Sequence, residues 1–329
     1  MTAESTAVTV RARWDGRTMP ALVEAARSET DLAGWLRQEK DQFDSLAYRA
    51  GAVLLRGFAV DTAAEFRAAM DALSSNILDY GERSSPRTAV SPGVYTSTEY
   101  AAEERIQPHN EQSYTTNWPV RITFFCEQPA TSGGRTPLTD SRRVLARLGV
   151  RTVKRFDRLG VRYVRNYLPG ISLSWQEAFQ TQRRDDVERY CAAADITTTW
   201  VGSDHLRTEQ LRPAIRRHPV TGERSWFNHA VFFHISSLPE EVSAGLLAAL
   251  PEEDLPYNTY YGDGTAIEPE TLAGIRAAMD AETTSFEWHR GDVLVVENML
   301  TAHAREPFDG PRRVLVAMSD PIAQFGVLQ

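Results

Sequence analysis

The sequence predicts a mainly β fold with added helices: a jelly roll interrupted by a long insertion at about 150–280, within one domain spanning 1–329. Three observations lead there. The C-terminal part reads as strands and turns in short succession, the pattern of an antiparallel sheet. Helical periodicity is confined to the early and middle parts of the chain. The residues best suited to hold a metal fall as two close together and one nearly two hundred residues later, as at the mouth of a barrel built from distant stretches of chain.

Each element has its own reason. Gly51–Val60 is short, apolar and rich in strand formers, a buried strand. Thr62 and Glu65 have capping-box spacing, and Phe66, Ala69, Met70 and Leu73 recur behind them at helical intervals. Val120–Cys126 alternates, with Val120, Ile122, Phe124 and Cys126 on one face. Asp140 is placed to cap a short helix carrying Val144, Leu145 and Leu148. Val161–Leu168 returns to strand, while Asp185–Ala194 and Leu238–Leu250 are helical. His218–Gly222 has the turn residues of a hairpin with strands on either side. Glu268–Ala281 is a helix whose proline comes early, where a missing N–H costs little. Ser285–His289, the turn Arg290–Asp292, Val293–Glu297 and Arg313–Ser319 complete the antiparallel strands.

Composition narrows the function. A formal net charge of -8 argues against a nucleic-acid-binding protein, which would need a basic face. Only Lys40 and Lys154 are lysines, so an arginine earns no role here from its identity alone. Cys126 and Cys191 are too few for a disulfide framework and read as buried free thiols. Met1–Asp15 has no apolar leader and no run reaches membrane-spanning length, so the expected location is the cytoplasm.

The chemistry concentrates in a few residues. On an extended strand, His109 and Glu111 at i, i+2 project to one face. With His303 they make a set of two imidazoles and one carboxylate, which leaves metal positions open for a chelating co-substrate and oxygen. No H-E-x-x-H pair supports a metalloprotease. Arg313, ten residues after His303 at the head of a strand, can bind the far carboxylate of a 2-oxo acid through its fork. Thr136, after the turn Gly133-Gly134, can add a hydroxyl to the same carboxylate. Asn298 is placed to brace the ligand loop, and the aromatic segment Trp226–His234 offers His229 and His234 as pocket candidates.

Taken together, 108–148 and 291–321 resemble the TauD/TfdA-type Fe(II)/2-oxoglutarate-dependent dioxygenases, and within them the SyrP-like (clavaminate-synthase-like) members. Segments 161–181 and 217–238 share that character, so the likeness runs from about Gly51 onward and leaves the first fifty residues largely outside it. The resemblance implies a double-stranded β-helix, with His109, Glu111 and His303 as iron ligands and Arg313 and Thr136 as the 2-oxoglutarate pair. By the family's layout, Arg165, Asn166, Arg207, Trp226 and Asn228 line the substrate pocket. Many relatives carry aspartate at the place of Glu111, and related halogenases a small residue; a carboxylate there favours hydroxylation over chlorination. The implied co-reactants are Fe(II), 2-oxoglutarate and O2. The implied substrate is an amino acid, free or tethered to a peptidyl carrier protein, in antibiotic or other natural-product biosynthesis. The same site is compatible with desaturation, cyclisation or epimerisation. A non-catalytic barrel that binds a small acid and a zinc hydrolase are the disfavoured rivals.

Overall fold

A computed structural model describes residues 8–12, 19–78, 87–168 and 170–325. The expectation about a leader concerns Met1–Asp15, of which Met1–Ala7 and residues 13–15 lie outside the described residues.

The architecture is layered. A main sheet runs in the order Val8–Arg11, Ala21–Ala25, Ala52–Arg56, Val293–Glu297, Pro119–Gln128, Arg313–Pro321, Val94–Thr96, Ala89–Ser91. Its pairs are antiparallel except for Ala21–Ala25, which lies parallel to Ala52–Arg56. The described residues among the first fifty thus belong to the fold: they supply one edge of the sheet and the helices Leu32–Gln38 and Lys40–Ala50.

The central strand Pro119–Gln128 is buried on both faces as far as Cys126. One face, carrying Ile122, Phe124 and Cys126, packs with Leu138, Phe286 and Trp288. The other, carrying Phe125, packs with Phe43, Phe66 and Met70 of the helical layer, and Phe66 stacks on Phe125 at 5.4 Å between ring centroids. Alternation therefore marks two different cores here, since neither face meets water.

The smaller sheet positions the chemistry. Its order is Thr283–Thr284, Leu138–Asp140, Thr301–Arg305, Ile106–His109, so the strand bearing His303 is held on both sides. His303 pairs with His109 on one flank and Leu138 on the other, with a register shift between His303 and Arg305. Facing sheets of this kind match the predicted jelly roll.

Between these halves, Val161–Tyr167, Ile196–Val201, His205–Arg212 and Tyr257–Tyr261 form a separate four-stranded antiparallel sheet. It has its own cores, one around Phe156, Tyr163 and Trp226 and another around Trp175 and Val187. The hairpin closes between Ile215–Arg217 and Arg224–Trp226 as the turn residues require. Thr62 and Glu65 make a complete capping box, and Asp140 accepts from the backbone of Arg142 and Arg143.

Two expectations are corrected. Ser285–His289 is not a strand: the ladder stops at Thr283–Thr284. Phe286 and Trp288 still alternate into the core, while the carbonyl of Glu287 accepts from Arg56 Nη2 at 2.8 Å instead of from a neighbouring strand. The strand bearing His109 ends at that residue, and Glu111 lies in the following turn, where Gln112 takes a φ of 52°.

Candidate metal centre and active-site cleft

His109, Glu111 and His303 converge: one donor atom from each lies within 4.8 Å of the others. The cross-strand register brings the two imidazoles to 4.4 Å between ring centroids, and the turn after His109 swings Glu111 back toward them. His109 Nδ1 lies 2.9 Å from the carbonyl of Gln107, which can only accept, so the ring proton sits there and Nε2 keeps its lone pair for a ligand. His303 Nε2 is 3.8 Å from Glu111 Oε2, and its buried Nδ1 has no hydrogen-bond partner among the described residues. Burial pushes the pKa of His109 below the usual imidazole value against the opposing pull of Glu111. Burial, reinforced by His109, Arg87 and His229, pushes that of His303 well below it. Two neutral imidazoles and one carboxylate are the donor set of a divalent metal of intermediate softness, and the residues fit Fe(II).

The set is braced from behind. The Asn298 side chain accepts from the backbone N–H of Glu111 at 2.7 Å and donates to its carbonyl at 2.9 Å, as its place in the sequence led us to expect. Asn110 Nδ2 donates to the carbonyl of Asn298 at 2.7 Å, closing the clamp. Arg87 Nη2 donates to Glu111 Oε2 at 2.7 Å, with the two side chains only 3% and 4% exposed.

Beside the triad lies a small cleft of about 30 Å³, lined by His109, His303, Thr136, Arg312, Arg87 and Phe124 among others. The guanidinium here is that of Arg312, not Arg313. Arg313 is 51% exposed and pairs with Glu127 at 2.5 Å, so its expected part in the cleft is not met. Side-chain parity explains the exchange. Val314, Val316 and Met318 face the smaller sheet, and Arg312 shares their parity, whereas Arg313 falls on the other. Arg312 Nε donates to the carbonyl of Gly134 at 3.1 Å, and burial, followed by repulsion from Arg305, lowers its pKa to about 10. Thr136 is in the cleft as expected; its hydroxyl accepts from Trp288 Nε1 at 3.0 Å and retains a proton to donate.

The expected substrate residues mostly serve the insertion. Asn166 donates to the carbonyls of Glu253 and Leu255 and accepts from His205 and Arg207. Arg207 is spent on Asp254 at 2.8 Å. Trp226 meets Phe156 edge-on in the core, and Asn228 ties Ala214 to Ala230. None of these four lines the cleft beside the triad. Arg165 is nearer the site, buried over the rings of Tyr114, Tyr167 and Phe233, and its charge helps to keep His229 neutral. Of the two histidine candidates, His229 is at the site: its ring is 5.8 Å from that of His109, and its Nδ1 is 2.6 Å from Ser113 Oγ. His234 instead caps a short turn by accepting from the backbone of Ser236. Phe232, at 4.7 Å from the His109 ring, and Phe124, at 5.1 Å from that of His303, complete an apolar wall. Sequence reading missed Arg87 because nothing in its short polar surroundings sets it apart from the other arginines.

Comparison with known proteins agrees with this geometry. Residues 16–318 match the model of the family described as taurine catabolism dioxygenase TauD, TfdA. The chain is 39% identical over 313 residues to the dapdiamide synthesis protein DdaC of Enterobacter agglomerans, covering 95% of this chain and 94% of that one. It is 27% identical to a clavaminate synthase-like protein of Arabidopsis thaliana, over 86% of each. Among solved structures, PvcB of Pseudomonas aeruginosa superposes with a TM-score of 0.54 at 16% identity, over 97% of this chain and 93% of that one. A taurine dioxygenase of Burkholderia xenovorans gives 0.53 at 17%, over 96% and 92%. These two likenesses concern the fold.

Proposed function

Since the chain belongs to the TauD/TfdA dioxygenase family, we propose that it hydroxylates an unactivated C–H bond of an amino acid, or of a compound built from one, using Fe(II), 2-oxoglutarate and O2. The observation that carries this reading is the convergence of His109, Glu111 and His303 beside one cleft, which His109 and His303 line together with Arg312 and Thr136. The relative named for dapdiamide synthesis supports a place in natural-product biosynthesis. Cys126 and Cys191, both buried and free, suit a reducing cytoplasm, and no helix among the described residues is long and apolar enough to cross a membrane.

Iron, when bound by His109, Glu111 and His303, supplies the redox chemistry that couples loss of CO2 from 2-oxoglutarate to oxidation of the substrate. The chain's own residues do the rest. The Gln107 carbonyl and the Asn298 clamp fix the ligands before anything binds. Arg312 and the Thr136 hydroxyl offer a cation and a donor to the distal carboxylate of 2-oxoglutarate. Phe124 and Phe232 keep water from the imidazoles, and the insertion brings His229 to the substrate side.

Succinate release, measured over free amino acids and over the same amino acids loaded on a carrier protein, tests the reading. Turnover with one arm fixes the form of the substrate, and a product heavier by one oxygen identifies hydroxylation. His109→Ala or Glu111→Ala abolishes coupled succinate formation; full turnover by either variant with iron present would falsify the triad.

A further inference from the structure

A carboxylate can meet a metal through one oxygen or through both, and glutamate carries one more rotatable bond than aspartate with which to change between them. In this protein both ends of Glu111 are restrained. The backbone is clamped by Asn298 at 2.7 and 2.9 Å, and Oε2 is held by Arg87 Nη2 at 2.7 Å. Arg87 is buried, lines the same cleft as His109 and His303, and has no part in the roles given above to Arg312 and Thr136. A charge-assisted bond in such a setting is short, directional and strong enough to fix a rotamer.

We propose that Arg87 is a positioning residue that restricts Glu111 to one-oxygen contact with the metal and so keeps a neighbouring coordination position open for the 2-oxo acid. This rests on the Fe(II)/2-oxoglutarate reading of the cleft. A metal of octahedral preference offers roughly six positions. Two imidazoles and one carboxylate oxygen leave three, enough for a two-atom chelator and O2. A carboxylate bound through both oxygens leaves two, and the chelator and O2 then compete. The methylene that glutamate adds widens the set of rotamers to be restrained, and Arg87 supplies the restraint without itself being one of the three donors found among the described residues.

The test compares wild type with Arg87→Met, which keeps length and loses charge, and with Arg87→Lys, which keeps charge and loses the fork. Metal-free protein is titrated with Mn(II), followed by electron paramagnetic resonance. Anaerobic Fe(II) protein is titrated with 2-oxoglutarate, followed by the weak visible metal-to-ligand band. Arg87→Met is expected to bind Mn(II) as tightly as wild type or more tightly, because a competing cation is gone. Its affinity for 2-oxoglutarate falls about tenfold or more and the band weakens. Arg87→Lys recovers part of that loss, and if the methionine variant does not fold, a drop of about threefold or more in the lysine variant supports the proposal in its place. Three results overturn the proposal: Mn(II) binding weakened tenfold with an unchanged band, a methionine variant indistinguishable from wild type, or a change confined to the KM of the amino-acid substrate. A wild-type protein that binds Mn(II) yet gives no band overturns the oxygenase reading, and this proposal with it.

Discussion

Arg312 and Arg313 are neighbours in sequence and face opposite sides of one sheet, which makes them a clean pair for experiment. Arg312→Ala should raise the KM for 2-oxoglutarate about 10- to 100-fold, the effect of losing hydrogen bonds to a charged group. Arg313→Ala should leave that KM unchanged and stability within about 0.5 kcal/mol, because its pairing with Glu127 is solvent-screened. Steady-state kinetics and thermal melts read both. The order of side chains along Val314, Val316 and Met318 already contained this distinction, since a period of two puts Arg312 on their face. Reading only the distance from His303 concealed it. His109 and His303 were legible as residue types, but their pairing depends on strand register, which no local pattern states. Arg87 carried no signal: its value lies in the carboxylate it meets 24 residues on.

Among the elements, the strand Thr301–Arg305 does two tasks. His303 belongs to the candidate metal set, and two residues later Arg305 donates to the carbonyls of Thr98, Tyr100, Ala101 and Glu104, gathering the loop that borders the cleft. Arg305→Met should free that loop, with a stability loss of about 2 kcal/mol in urea unfolding and faster proteolytic cleavage between residues 98 and 104. The turn after His109 is the second controlling element. Asn298→Ala should lower metal affinity roughly 10- to 100-fold, measured by competition with a chelating dye, while leaving the helices intact by circular dichroism. Elements with local signatures were readable: the Thr62–Glu65 box and the Asp140 cap formed as their spacing required. Phe286 and Trp288 were readable as buried but not as unladdered, because alternation records which side is dry and not where the backbone hydrogen bonds go.

For the molecule as a whole, the layers are tied by charge as well as by packing. Arg121 of the main sheet meets Glu297 at 2.5 Å and Asp44 of the helical layer at 2.8 Å, and His218 of the inserted hairpin lies 3.6 Å from Glu297. Arg121→Met would leave Glu297 buried without its cation and should cost about 3–5 kcal/mol in global unfolding. Acid should also weaken the metal-free protein. His109, His229 and His303 have folded-state pKa values pushed below 6.5, chiefly by burial, so the unfolded chain takes up protons that the folded one refuses. Their contribution is complete above about pH 6.5 and declines below it, by at most about 1.4 kcal/mol per pH unit for each histidine. Urea midpoints at pH 7.5 and 5.5 check the sign.

Both candidate imidazole ligands come from the jelly roll, whereas the rings that close over them, Phe232 and His229, come from the stretch of chain between its halves. The combustion chamber and its inlet are thus separate castings. Exchanging Phe232 and His229 alone would reshape the inlet while the chamber keeps its fittings, so such a protein could acquire a taste for new molecules without relearning how to burn them.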